Sequence, residues 1–199
     1  MSGVETVDVY VSELPDVAPP KLFPPERDLE VLSKGDECAR RESAFCWKLL
    51  CDALGARLGV GAEDIDFEKK NGKWRSDSVE FSLSHAGGAL AVALSEYSVG
   101  IDIEPIDDRD RDGVARRFFT EGEAGDYYSL RGEEKKEKFF HIWTAKEAIF
   151  KASSDEAFLP SSVDSSDKEV YTDTLSLSGR RYALSVYCER AFRVRLHLV

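Results

Sequence analysis

Two short acidic segments hold the residues with the most chemical potential. The first is Val99-Gly100-Ile101-Asp102-Ile103-Glu104 and the second is Trp143-Thr144-Ala145-Lys146-Glu147-Ala148-Ile149-Phe150-Lys151. In the first, Asp102 and Glu104 alternate with Ile101 and Ile103, so a strand places both carboxylates on one face and both isoleucines on the other. In the second, Glu147 and Lys151 are four apart, one turn along a helix face, with alanine and isoleucine on the apolar side. Carboxylates from a strand and a helix, with a lysine beside them, suit a hard divalent cation and a phosphate.

Both segments need elements to carry them. Residues 6–11 alternate and predict a strand. Pro15, Pro19, Pro20, Pro24 and Pro25 then predict an extended, turn-rich connection. Asp36 is placed to cap a helix that runs through Phe45, Trp47, Leu49, Leu50 and Leu54 to about Leu58, ended by Gly59 and Gly61. Strands follow over 64–69, 79–83, 89–95 and 99–103, with turns at Asn71-Gly72 and Ala86-Gly87-Gly88. Helices are predicted near 112–119, 121–130 and 133–152, a polar loop over 153–166, and strands over 170–177, 182–187 and 192–198. The last two strands read as antiparallel neighbours. The order is α+β: two halves that echo each other, residues 1–98 and 99–199, as a pseudo-symmetric pair with the acidic motifs near the seam.

The bulk properties narrow the partners. The 199 residues carry a net charge of −11, 33% charged and 42% hydrophobic residues, as in ordinary globular chains. No apolar run approaches the roughly 20 residues of a membrane span. The first ten residues lack the basic-then-apolar pattern of a secretory signal. The acidic balance argues against non-specific nucleic-acid binding. Cys38, Cys46, Cys51 and Cys188 form no CxxC pair, so free thiols in a reducing cytosol are expected and zinc is not. Two basic groups interrupt the acidity: Arg109, Arg111, Arg116 and Arg117, and then Lys135, Lys136 and Lys138. They are either a rim for an acidic partner or solvated faces paired with Glu133, Glu134 and Glu137.

Four segments in order resemble the signatures of the 4′-phosphopantetheinyl transferases. They are Phe81-Ser82-Leu83-Ser84-His85, Gly100 to Glu104, Arg117-Phe118-Phe119-Thr120-Glu121-Gly122-Glu123, and Trp143 to Lys151. Length and layout are similar to the monomeric, surfactin-synthetase-activating type. The resemblance implies two similar α+β halves with coenzyme A in the cleft between them and Mg²⁺ on its pyrophosphate. The reaction implied moves phosphopantetheine from coenzyme A to a serine of an apo-acyl or peptidyl carrier protein and leaves adenosine 3′,5′-bisphosphate. A cytoplasmic monomer is expected.

The resemblance also implies roles. Asp102, Glu104 and Glu147 match the metal positions, and Lys151 matches the lysine near the scissile phosphate. Glu147 doubles as a candidate base for the carrier serine. His85, assisted by Ser84, matches a donor to a coenzyme A phosphate; Gly87 and Gly88 after it permit close backbone approach. Lys146 matches a position beside the ligand carboxylate but points about 100° away from Glu147 on an ideal helix, so a secondary contact is expected. Arg40, Arg41 and Lys48 on the first long helix, and Arg75 in Gly72-Lys73-Trp74-Arg75, are candidates for nucleotide phosphates. Glu123 has two readings. It matches a functional glutamate, and Thr120-Glu121-Gly122-Glu123 is also a capping box. Trp143 reads as core. Lys151 also has a plain reading as a helix pair with Glu147 worth about 0.3–0.5 kcal/mol.

The chain departs from the resemblance at Ser153-Ser154-Asp155-Glu156, where a glycine-rich segment is usual. The nucleophile would come from the partner, consistent with the lack of a Ser-His-Asp or Cys-His set. Competing readings are another Mg²⁺-dependent phosphotransferase or pyrophosphohydrolase using the same acidic cluster, and a non-catalytic protein that binds coenzyme A or a carrier.

Overall fold

The computed structural model describes residues 4–70, 72–153 and 159–199. The alternating opening forms strand β1 (Glu5–Glu13), with Val7, Val9 and Val11 buried on one face. The proline-rich stretch was expected to be only a connection, but it ends in a short helix, α1 (Pro25–Ser33). Pro25 stands at its first position, where a fixed φ and a missing N–H cost nothing, and Glu26 and Asp28 occupy the electropositive first turn. Helix α2 (Glu37–Leu58) has the expected boundaries. The Asp36 carboxylate accepts from Ala39 N at 2.7 Å, and Gly59 closes the helix at φ 72°.

A hairpin follows, β2 (Phe67–Lys70) and β3 (Lys73–Ser76), later than the predicted strand because residues Ala62–Asp64 take a 3₁₀ turn. Asn71, expected in the turn, lies outside the described residues. Strands β4 (Glu80–Ala86), β5 (Ala89–Ser95) and β6 (Val99–Pro105) come next. Then come helices α3 (Asp112–Phe118), α4 (Glu121–Ser129) and α5 (Gly132–Ala152), and strands β7 (Val170–Leu177), β8 (Arg180–Cys188) and β9 (Phe192–Leu198). Ser154, Asp155 and Glu156, where the sequence departs from the resemblance, lie outside the described residues.

The molecule is α+β. One sheet has the order β4-β5-β1-β9 and another β6-β8-β7. One expectation is corrected: β8 and β9 are not antiparallel neighbours. The last strand crosses back to lie parallel to β1, with Val194 opposite Val7 and Leu196 opposite Val9. β8 instead pairs antiparallel with β6 and β7. Alternation in β9 specified a strand but not its neighbour. Adding Val194 and Leu196 to the valine face of β1 extends one apolar surface, which decides the pairing.

The layers follow from β5, whose seven residues are all buried. Leu90, Val92 and Leu94 face Trp47, Leu50 and Leu54 of α2. Ala89, Ala91 and Ala93 face Ile101, Ile103, Leu184 and Val186 of the second sheet. A third apolar cluster joins Ala115, Phe119, Tyr127, Phe139 and Phe140 of the helical segment to Ala183 of β8. Trp143 packs there as expected, stacked on Phe139 with ring centroids 6.2 Å apart.

Candidate active site at the strand–helix seam

Gly100 brings the two acidic motifs together. A Cβ built there would lie 1.8 Å from the Ala148 carbonyl oxygen and 2.8 Å from the Ala152 nitrogen, so only glycine permits β6 to lie this close to α5. Alternation then turns Asp102 and Glu104, which share a face with Gly100, toward the helix. The opposite face, Ile101 and Ile103, is sealed in the core.

Asp102 is the hub, only 4% exposed. Its Oδ1 accepts from Ser84 Oγ at 2.7 Å and from Lys151 Nζ at 2.7 Å; Lys151 also donates to the Ile101 carbonyl at 3.0 Å. Lys151 is thus paired across the seam with the strand, and the Glu147–Lys151 helix pair considered from sequence is not its ion pair. β4 and β6 lie side by side, joined by side chains. Ser82 Oγ accepts from Ile101 N at 3.1 Å, and Ser84 holds Asp102. Ser84 therefore reaches the acidic centre directly, a link that the Ser-His segment alone did not reveal.

Glu104 and Glu147 stand in the field of Asp102. Burial first, and the Asp102 charge second, push each carboxyl up to about 7. Two carboxylates that resist ionising together beside a third describe a site short of positive charge. Asp102 Oδ2 is buried and has no hydrogen-bond partner among the described residues. An orphaned carboxylate oxygen in such surroundings is costly unless something binds it. A hard divalent cation meets both needs, so these residues fit Mg²⁺. Still, no three His, Cys, Asp or Glu side chains among the described residues already form a metal-holding group.

His85 lies on β4 next to Ser84, with its side chain 25% exposed. Burial, and then the Lys34 charge, hold its pKa below the usual histidine value. Its Nδ1 is 3.3 Å from Glu42 Oε2, and Glu42 Oε1 accepts from Gly88 N at 2.8 Å. Glu42 was not singled out from the sequence. The available signal was an acidic residue inside the buried run of α2, Glu42 to Trp47.

Lys146 and Glu123 are brought together, but away from the hub. Lys146 Nζ lies 2.6 Å from Glu123 Oε2, both side chains are almost fully enclosed, and Lys146 also donates to the Val163 carbonyl. Glu123 accepts from Thr120 N at 2.9 Å through Oε2, and from Ser165 N and Ser165 Oγ at 2.9 and 2.7 Å through Oε1. The capping box is formed, with Thr120 Oγ1 accepting from Glu123 N at 3.4 Å. The helix turn that puts Glu147 on the seam puts Lys146 on this other side.

The remaining basic candidates divide. Arg75 and Lys151 line one small cavity of about 90 Å³, together with Lys73. Lys73 Nζ reaches the Ser153 carbonyl at 3.3 Å and sits 5.4 Å from the centre of the Phe150 ring. Arg40 and Arg41 line an open groove of about 470 Å³ with Pro19, Pro20, Val31 and Leu32. Arg41 already donates to the carbonyls of Pro15 and Val17 at 2.7 and 3.0 Å. Lys48 is exposed and paired with Asp52 on its own helix, outside both spaces.

Of the two basic groups in the second half, most side chains are held internally. Arg109 and Arg111 share Asp107, Lys135 meets Asp112, Lys136 meets Asp108 and Glu133, and Lys138 meets Asp126. Arg116 and Arg117, in the last turn of α3, are exposed.

Comparison with known proteins bears on this arrangement. Residues 98–191, which include β6, α5 and β8, match the model of the 4′-phosphopantetheinyl transferase superfamily. The chain is 41% identical over 142 residues to the 4′-phosphopantetheinyl transferase psf-1 of Bacillus pumilus, covering 63% of this chain and 60% of that protein. It is 41% identical over 106 residues to the 4′-phosphopantetheinyl transferase AcpT of Salmonella typhimurium, 49% of this chain and 55% of the relative. It is 30% identical over 132 residues to the 4′-phosphopantetheinyl transferase gsp of Aneurinibacillus migulanus, 65% of this chain and 55% of the relative. The chain thus spans only 55–60% of the length of these relatives.

Proposed function

We propose that the chain, whose residues 98–191 match the model of the 4′-phosphopantetheinyl transferase superfamily, is a member of that family and transfers 4′-phosphopantetheine from coenzyme A to a serine of an apo-acyl or peptidyl carrier protein. The observation that carries this reading is the junction of Asp102, Glu104, Glu147 and Lys151 across the Gly100–Ala148 contact. Asp102, Glu104 and Glu147 would hold Mg²⁺, which when bound supplies positive charge to the pyrophosphate.

The chain's own residues do the rest. In the reaction the serine Oγ forms a new bond to the pantetheine-side phosphorus, and the bond from that phosphorus to the adenosine-side oxygen breaks. Adenosine 3′,5′-bisphosphate leaves with that oxygen. Glu147, with its carboxyl raised to about 7, has the affinity for a proton that a base needs near neutral pH and would take the serine proton. Lys151 would place its ammonium against the phosphoryl oxygens as charge builds there. His85 would donate to a coenzyme A phosphate. Arg75, in the cavity shared with Lys151, would hold another phosphate oxygen, and Arg40 and Arg41 would meet the nucleotide from the α2 groove. Lys48, spent on Asp52 at the surface, has the weakest support of these. Glu123 and Lys146 are better supported as a buried clasp that fixes α4 and α5 than as groups that touch ligand, because every Glu123 oxygen is already engaged.

No helix among the described residues is long and apolar enough to cross a membrane. Coenzyme A as co-substrate, Mg²⁺, a monomeric state, two domains divided near residue 98, a cytoplasmic location and the absence of nucleic-acid or membrane partners all belong to this proposal.

The test is product release. Mixing the protein with coenzyme A, Mg²⁺ and an apo-carrier should release adenosine 3′,5′-bisphosphate only when the carrier has its serine. Release from coenzyme A without any carrier would favour a pyrophosphohydrolase instead.

A further inference from the structure

The Ala86-Gly87-Gly88 turn after His85 is clasped from two sides. From β8, Tyr182 Oη donates to the Gly87 carbonyl at 2.6 Å and Arg180 Nη1 donates at 3.2 Å. From α2, Glu42 accepts from Gly88 N at 2.8 Å and meets His85 Nδ1 at 3.3 Å. Gly87 and Gly88 have φ of 57° and 90°, and a Cβ on Gly87 would come within 3.1 Å of both Arg180 and Pro105. Glu42 is only 8% exposed, so its carboxylate is committed to these two contacts. His85 Nε2, by contrast, has no hydrogen-bond partner among the described residues.

We propose that Glu42 is the positioning residue for His85: one carboxylate fixes both the imidazole, through Nδ1, and the turn behind it, and so presents Nε2 to a phosphate of the ligand. The inference rests on the reading above that His85 binds a coenzyme A phosphate. Its physical content is a proton count. With Nδ1–H given to Glu42, a neutral ring offers only a lone pair at Nε2, which would repel a phosphate. Binding needs the imidazolium, with both nitrogens donating, one to Glu42 and one to the ligand. The groups facing the ring are Glu42 from α2, Lys34 from the segment before it, and Lys151 from α5. Burial and the two lysines oppose the charged ring, and Glu42 alone of these favours it. Glu42 thus offsets part of what opposes the protonation state that the role requires.

The experiment compares the wild type, Glu42→Gln, His85→Ala and the double variant. Glutamine keeps an acceptor for Gly88 N but removes the charge beside the ring. The first readout is the His85 imidazole titration by NMR on the protein without ligand. Glu42→Gln should lower its midpoint, and an unchanged midpoint would overturn the proposal. The second readout is the coenzyme A dissociation constant against pH. Glu42→Gln should weaken binding several-fold near neutrality, and by less as the pH falls and the ring protonates anyway. In the His85→Ala background the same substitution should cost nothing further. An equal loss in that background would show that Glu42 acts on the fold alone and would refute the idea. If His85→Ala leaves coenzyme A binding unchanged while the NMR midpoint still shifts, the phosphate role of His85 fails and Glu42 remains its holder. Should Glu42→Gln not fold, Tyr182→Phe loosens the same turn from the β8 side without touching Nδ1. It should leave the midpoint in place, and a shift equal to that expected for Glu42→Gln would contradict a specific role for Glu42.

Discussion

The Ala148 carbonyl oxygen lies where a side chain on Gly100 would begin, 1.8 Å from the position of its Cβ. That contact sets the depth at which β6 meets α5 and hence the reach of Lys151 to Asp102. Gly100→Ala should therefore push the strand off the helix. Overpacking a rigid contact costs about 1–3 kcal/mol and occasionally more, and the upper end is expected here because the obstructing atom is backbone. Thermal unfolding checks this, and a variant with unchanged melting temperature and activity would show that the contact is not a constraint.

Glu104 and Glu147 make stability depend on pH. Each carboxyl sits near 7 in the folded protein, against an ordinary value of 4.5. The folded state then holds these protons more tightly than the unfolded chain. Their contribution is fully present below about 4.5 and is lost as the pH rises through about 7. Without divalent cation, the urea midpoint should fall between about pH 5 and pH 8, and Glu104→Gln or Glu147→Gln should flatten that fall. Mg²⁺ should restore the midpoint more at the higher pH, and should do so poorly in Asp102→Ala. An identical pH profile in wild type and Glu147→Gln would sink this account of the site's charge.

The Glu123–Lys146 pair behaves as a buried ion pair in which neither partner tolerates loss of the other. Lys146→Met should destabilise by about 3–5 kcal/mol, because it leaves Glu123 enclosed without its cation. Replacing both partners should recover part of that loss. Denaturant titration reads it, and a single-variant cost below about 1 kcal/mol would mean that water enters the pair.

Much of this was legible in the sequence. The Asp36 and Gly59 caps, the alternation of β6 and β7, and the box at Thr120 and Glu123 are local signals, and local signals fix elements and their ends. That the two acidic motifs lie on a strand and a helix was legible for the same reason. The rest depended on long-range contact. The partner of β9 is chosen by apolar surface elsewhere in the chain, and α1 was hidden by five prolines within eleven residues, two of them at the helix start. Glu42 was missed because its meaning lies in a ring and a turn more than forty residues away. Lys146 and Glu147 are adjacent in sequence, yet the helix sends one to a buried clasp and the other to the seam.

Arg116 and Arg117 are exposed, whereas Arg109, exposed as well, and Arg111 are held by Asp107. On a chain of net charge −11, an acidic carrier would need local basic residues to overcome repulsion at a distance. Reversing both to Glu should raise the Michaelis constant for the carrier several-fold, more at low salt than at high salt, and leave that for coenzyme A almost unchanged. If the coenzyme A constant moves and the carrier constant does not, the pair belongs to the nucleotide pocket.

The transfer itself is tested most directly by intact-mass spectrometry of apo-acyl and apo-peptidyl carrier proteins incubated with the protein, coenzyme A and Mg²⁺. A carrier should gain one phosphopantetheine on its serine, removing Mg²⁺ should prevent the gain, and Asp102→Ala, folded by circular dichroism, should not support it. Absence of any gain on every carrier offered, with coenzyme A bound and the protein folded, or full gain with Asp102→Ala, would contradict it.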